Sequence, residues 1–219
     1  MLEAIELETA ANPAIAIIWL HGLGADGNDF VPMVSQFKAA GCPPIRFIFP
    51  HAPTMAVTVN NGYVMRAWYD ILGADLTRRE DEAGVRASQV AIEELIAAQL
   101  ARGIASERIL LAGFSQGCAM TLQVGLRYPK KLAGLLCLSG YLPLSTSVAA
   151  ERSTANQDTP IFMAHGSMDP VVPIDRAVAA RTMLASLGYK VEWHDYPMPH
   201  SVCPQEIGDM GAWMMRVLA

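Results

Sequence analysis

The sequence predicts an α/β fold, a mostly parallel central sheet with helices on both faces. Three observations point there. Short apolar runs alternate along the chain with amphipathic, helix-length segments. The runs are continuously apolar, as in strands covered on both sides. Hydrophobic residues make up 52% of the 219 positions, charged residues 17%, and mean hydropathy is +0.26.

The elements follow in order. AIAIIWL, 14–20, reads as a buried strand, and 28–40 as a helix stopped by Gly41 and the Pro43-Pro44 pair. IRFIF, 45–49, is a second strand. Residues 56–70 read as a hairpin, because Asn61-Gly62 is a type I′ turn signal between β-rich arms. A long helix covers 81–102, with Val85, Val90, Ile92, Leu95, Ile96 and Leu100 as its apolar stripe and Gly103 as its stop. RILLAGF, 108–114, is a strand, and a helix runs from Ser115 or Gln116 to Tyr128. LAGLLCLS (132–139), PIFMAHG (160–166) and KVEWHDY (190–196) are further strands. Helices are expected over 173–187 and 204–218. Residues 141–159 form a polar connection, read either as an active-site wall or as a surface loop. Residues 1–219 are expected to form one domain.

Composition excludes several classes. The most apolar stretch, 132–144, is broken by Gly134, Gly140 and Pro143. It is also shorter than the ~20 residues of a spanning helix, so no stable membrane insertion is expected. The first ten residues carry three glutamates and no basic residue, unlike a secretory signal. A net charge of -5 without a Lys/Arg-rich run argues against nucleic-acid partners. Cys42, Cys118, Cys137 and Cys203 lack metal-binding spacing, which suggests reduced thiols and a cytoplasmic location. Cys118 and Cys137 read as small buried thiols.

The chemistry centres on GFSQG, 113–117. By itself this is a tight turn with a serine in it. Its place between a strand and a helix makes it a nucleophile elbow with Ser115 at the apex, aimed outside the carboxyl end of the strand. A serine hydroxyl needs an adjacent base. His200, just past the last strand, fits the chain order Ser, acid, His; His194, inside that strand, reads as a packed or solvated residue. Asp169 of HGSMDPVVP is the candidate acid, although Asp-Pro is also a common turn. Asp175 reads as a helix opener, and Asp158 precedes its strand. Cys118, one helical turn past Ser115, is off the apex and disfavoured as the nucleophile. The N–H of Gln116 is one expected oxyanion donor, and the Gly-rich loop 21–29 can supply the other. That loop has neither dinucleotide-fingerprint nor P-loop spacing.

With HGLGADGNDF, MRAWYDI, GFSQGCAM, HGSMDPVVP and the histidine of MPHSV in place, the sequence resembles the α/β-hydrolase superfamily over nearly its whole length. More narrowly, it is similar to small bacterial carboxylesterases of the phospholipase/carboxylesterase group, related to acyl-protein thioesterases and lysophospholipases. The resemblance implies Ser115 as nucleophile, Asp169 as acid, His200 as base, and the N–H groups of Leu23 and Gln116 as the oxyanion hole. It implies an acyl groove walled by the loop after the first strand and by residues 68–76. Trp68, Tyr69, Leu72 and Leu76 are the candidate wall residues, with core anchoring the equal alternative for Trp68 and Tyr69. No cofactor or metal is implied, and a homodimer is expected. The expected activity is hydrolysis of short- to medium-chain carboxylic esters through an acyl-enzyme, with no large lid. Thioesters of acylated proteins and lysophospholipids are the alternative substrates. A non-catalytic ligand-binding use of the scaffold is the rival of another class.

Overall fold

The structure is a computed structural model that describes residues 1–39, 42–73 and 80–219. Its main sheet has seven strands: β1 (Ala4–Glu8), β2 (Ile15–Leu20), β3 (Ile45–Pro50), β6 (Ile109–Phe114), β7 (Gly134–Leu138), β8 (Ile161–Gly166) and β9 (Val191–Tyr196). They lie in the order β1-β3-β2-β6-β7-β8-β9. Every pairing is parallel except β1 with β3. A separate hairpin pairs β4 (Thr54–Val57) with β5 (Tyr63–Arg66). The helices are α1 (Met33–Ala39), α2 (Glu82–Ala101), α3 (Gln116–Arg127), α4 (Val148–Glu151), α5 (Ile174–Ser186) and α6 (Pro204–Leu218). None of the described helices is long and apolar enough to cross a membrane.

Alternation along β2 shows why its run is unbroken. Ala16, Ile18 and Leu20 enter one core with residues of α2, α3 and α5. Ile15, Ile17 and Trp19 enter a second core with residues of α1 and α6. The strand is buried on both faces, and each large side chain so buried contributes roughly 1.5–3 kcal/mol.

Four local readings change. Ala4–Glu8 forms an edge strand that the sequence reading passed over. Helix α1 starts at Met33, not Asn28, because Pro32 offers no N–H to continue a helix; residues 28–32 form successive turns instead. Its expected end at Ala40 and Gly41 lies outside the described residues. In the hairpin, Asn61 and Gly62 have the positive φ values of the expected turn, 55° and 75°. Val57 pairs with Tyr63, however, so five residues form the loop and not two. Asp70 accepts hydrogen bonds from the Thr58 N–H (2.7 Å) and hydroxyl (2.5 Å), holding a 3₁₀ turn over Thr58–Asn60. Val90 leaves the α2 stripe and is exposed, whereas Val85, Ile92, Leu95 and Ile96 are buried.

The connection 141–159 is ordered. It holds two 3₁₀ turns and α4, with Val148 buried. Cys118 and Cys137 are buried free thiols, as their surroundings in the sequence suggest.

Candidate active site

Strands β6, β8 and β9 deliver Ser115, Asp169 and His200 from their carboxyl ends to one place. Ser115 links β6 directly to α3, with φ 56° and ψ -117°. A side chain at positive φ costs on the order of 1–3 kcal/mol, so the surroundings must hold it. They do so with backbone: the Ser115 N–H donates to Leu138 O at 2.8 Å, and the Ala119 N–H donates to Ser115 O at 3.2 Å. The two glycines of the elbow are steric necessities. A Cβ on Gly113 would lie 2.2 Å from Gly117 O, and one on Gly117 would lie 2.1 Å from Leu20 O. Strand β6 and helix α3 thus meet at a distance only glycine allows.

Ser115 Oγ lies 2.9 Å from His200 Nε2, and His200 Nδ1 lies 2.6 Å from Asp169 Oδ2. The second distance assigns the ring proton to Nδ1, donated to the carboxylate; Nε2 is then free to accept from the serine. The other oxygen, Asp169 Oδ1, accepts the N–H groups of Val171 (2.8 Å) and Val172 (2.9 Å). Asp169 therefore has both roles read for it, turn-former and histidine partner. Its side chain is fully buried beside His165, whose Nε2–H donates to Val172 O at 2.8 Å. Burial holds the His165 imidazole below the usual histidine range.

The loop bearing His200 is tied to the Asp169 turn. The Ser167 N–H donates to Tyr196 O, and the Met168 N–H donates to Met198 O. A Cβ on Gly166 would come within 2.4 Å of Met198 O, so this close approach also requires glycine. Phe114 of GFSQG packs its ring 4.7 Å from the His200 ring. That contact was unread in the sequence, where Phe114 was only the residue before the serine.

Ser115 and His200 open on a cavity of about 460 Å³. Leu23 and Gln116 line it beside them, together with the apolar Val59, Ile71, Val171 and Val172. The Gln116 N–H is the first of α3 and has no acceptor within the helix. Gln116 also does what its sequence position did not suggest. Its side chain accepts from the Trp68 N–H (2.8 Å) and donates to Tyr69 O (2.7 Å), fastening segment 68–69 to the elbow.

The wall candidates divide. Tyr69 lines the cavity, its hydroxyl paired with that of Tyr141. Trp68 does not: its indole is buried in the core and its Nε1–H donates to His21 O at 2.9 Å. The core-anchor alternative holds for Trp68 because its one polar atom finds its partner inside. Leu72 borders a separate small cleft near Glu80 and Asp81, not the cavity of Ser115. Leu76 lies outside the described residues. His194 of β9 stacks on Phe162 of β8 and is not part of this cavity. Among the described residues, no group of three or more His, Cys, Asp or Glu is placed to hold a metal ion.

Chemically, the arrangement can take a proton from a hydroxyl and stabilise the resulting imidazolium. It also presents backbone N–H groups beside an apolar cavity. Residues 3–217 match the family model described as Phospholipase/Carboxylesterase. Acyl-protein thioesterase 1 of Gibberella zeae is 39% identical over 218 residues, 95% of this chain and 93% of that protein. Acyl-protein thioesterase 1 of Neurospora crassa is 42% identical over 209 residues, 89% of this chain and 85% of that protein. Among solved structures, Arabidopsis thaliana SOBER1 matches with a TM-score of 0.88 at 34% identity, over 94% of this chain and 99% of that one. The structure of esterase PE8 matches with a TM-score of 0.84 at 25% identity, over 99% of each chain. These two sequence relatives are fungal, so they lend nothing to the narrower expectation of a bacterial group.

Proposed function

Because the chain belongs to the phospholipase/carboxylesterase family, and so to the serine hydrolases of the α/β-hydrolase superfamily, we propose that it hydrolyses acyl thioesters carried by proteins. The observation that carries this reading is the hydrogen-bonded chain Ser115–His200–Asp169 opening on an apolar cavity. Relatives of 39% and 42% identity named acyl-protein thioesterase 1 favour the thioester over the simple ester expected first.

In this reading Ser115 Oγ attacks the acyl carbonyl carbon and passes its proton to His200 Nε2. Asp169 stabilises the imidazolium, and the N–H groups of Leu23 and Gln116 receive the oxyanion. The tetrahedral intermediate collapses, and the thiolate leaves with the proton from His200. Water, deprotonated by His200, then attacks the acyl-enzyme. The fatty acid departs and Ser115 regains its proton. The acyl chain lies in the cavity lined by Val59, Ile71 and Val171.

Simple carboxylic esters are the second reading, favoured by the likeness to esterase PE8. A reducing, cytoplasmic setting fits the four free cysteines and belongs to the same proposal, as does a single domain over 1–219. A dimer belongs to it too, and light scattering of the purified chain tests that part.

The test is a comparison of kcat/KM for an S-acylated peptide, a p-nitrophenyl ester and a lysophospholipid, with Ser115→Ala as control. A fluorophosphonate should label the parent and not the variant. A tenfold preference for the oxyester would move the assignment to the second reading. Labelling that survives the substitution would remove Ser115 from the mechanism.

A further inference from the structure

His21 is buried just past the end of β2, and the proposed mechanism gives it no task. Its ring has two hydrogen-bond partners. The Ala52 N–H lies 3.0 Å from Nε2. A backbone N–H can only donate, so Nε2 must be the unprotonated nitrogen. The proton of the neutral ring is then on Nδ1, which lies 2.7 Å from Gly22 O and donates to it. Burial also lowers the pKa of this imidazole, in keeping with a neutral ring.

The Gly22 carbonyl and the Leu23 N–H belong to one planar trans peptide unit, in which they point in opposite directions. Whatever fixes the carbonyl fixes the N–H. Leu23 lines the cavity with Ser115 and Gln116, and a Cβ on Gly22 would lie 3.3 Å from Ser115 Cβ. The preceding carbonyl, His21 O, is held by the Trp68 indole at 2.9 Å. Two successive carbonyls of the loop are therefore turned toward donors in the core.

We propose that His21 is a positioning residue of the oxyanion hole: its Nδ1–H holds the Gly22 carbonyl and so aims the Leu23 N–H at the reacting oxygen. The proposal rests on the reading of Ser115 as nucleophile. It makes His21 act through a peptide bond, on transition-state charge and not on substrate binding.

Two substitutions separate the functions of the ring. In His21→Asn the side-chain amide nitrogen stands near the place of Nδ1 and can still donate to Gly22 O. In His21→Gln the side-chain oxygen stands near Nε2 and can still accept from Ala52, but the short side-chain bond to Gly22 O is lost and only the longer one from the Ala25 N–H, 3.2 Å, remains. The glutamine variant should lose about 10- to 100-fold in kcat with KM within about twofold, since a misdirected donor costs part of what a deleted one does. Its affinity for a trifluoromethyl ketone carrying the same acyl chain should weaken by the same factor. The asparagine variant should stay within about threefold of the parent in both. Equal losses in the two variants, or a loss confined to KM, would overturn the proposal. A measurement without substitution guards against a variant that does not fold. Nitrogen-15 NMR of the histidine rings of the parent should show His21 protonated at Nδ1, and protonation at Nε2 would refute the assignment. A parent not labelled by fluorophosphonate would sink the nucleophile reading itself. A labelled parent with a fully active glutamine variant would sink only the role of His21.

Discussion

The hydroxyls of Tyr69 and Tyr141 meet 2.7 Å apart on the wall of the cavity that holds Ser115. Both rings are buried, and both phenols are pushed upward in pKa, that of Tyr141 to about 12. Burial is the main cause in each case. The pair is neutral near pH 7, so it is a hydrogen bond and not a charge that must be satisfied. Tyr141→Phe leaves the Tyr69 hydroxyl buried without its partner, and should cost about 1–3 kcal/mol. Replacing both by Phe removes donor and acceptor together and should recover most of that loss. Urea unfolding of the two single variants and the double variant measures the coupling; additive losses would show that the bond contributes nothing.

Asp169→Asn tests the orientation of His200. The asparagine oxygen can still accept the Val171 and Val172 N–H groups, so the turn should survive. Its NH₂ group would then face His200 Nδ1 and draw the ring into the other tautomer. Nε2–H would point at Ser115, and the base would be lost. A fall of about 10⁴ in kcat is expected with little change in melting temperature. An activity within tenfold of the parent would contradict the proton assignment.

Glu206 predicts a pH dependence of stability away from the site. It is fully buried in the first turn of α6, and among the described residues neither oxygen makes a full hydrogen bond. Burial, reinforced by the Asp209 carboxylate and opposed by the Cys203 backbone, raises its pKa from an ordinary 4.5 to about 7. Between those values the folded chain keeps a proton that the unfolded chain has released. Stability from this group is therefore lost as pH rises from about 4.5 to 7. Glu206→Gln should become more stable relative to the parent by on the order of 2–3 kcal/mol between pH 5 and pH 8. Urea titrations at the two pH values measure it, and a constant difference would contradict it.

Glu151 predicts the opposite slope. Hydrogen bonds from Arg86, Arg127 and Ser147 bring its pKa down to about 2. Its stabilisation is present above an ordinary carboxylate value and is lost as pH falls toward 2. Arg127 is the buried partner, with 4% of its side chain exposed. Glu151→Gln should cost about 2 kcal/mol at pH 7, less than a fully buried pair because solvent reaches Glu151. The same substitution should be nearly silent at pH 2, where acid unfolding of parent and variant converges.

The juxtaposition at the candidate site was legible where it depends on residue type and chain order. Ser115, Asp169 and His200 could be read because each follows a strand whose apolar run is unmistakable. What could not be read depends on which way a side chain turns. Trp68 looks equally suited to a cavity wall and to a core, and only the position of His21 O decides. Tyr141, Val171 and Val172 stand in loops whose paths no periodicity specifies. The fold was misread where the signal is weak or a tertiary bond competes. In AIELE, Ile5 and Leu7 alternate with Glu6 and Glu8, the pattern of a half-covered strand, but only five residues carry it. Asn61-Gly62 took its expected conformation, yet Asp70 fixed the turn before it and lengthened the loop.

The short first strand bears on how copies of the chain meet. Strands β1 and β9 are the outer members of the sheet, the places where an added strand from another molecule would pair. On β1, Glu6 and Glu8 are engaged by Arg46, and Glu6 also by Arg102. On β9, Glu192 is engaged by Arg216 and His194. A second molecule docking along either strand would have to strip water from these ion pairs and lay its own chain beside fixed charge. The sheet is thereby guarded at both margins against growing from one molecule into the next.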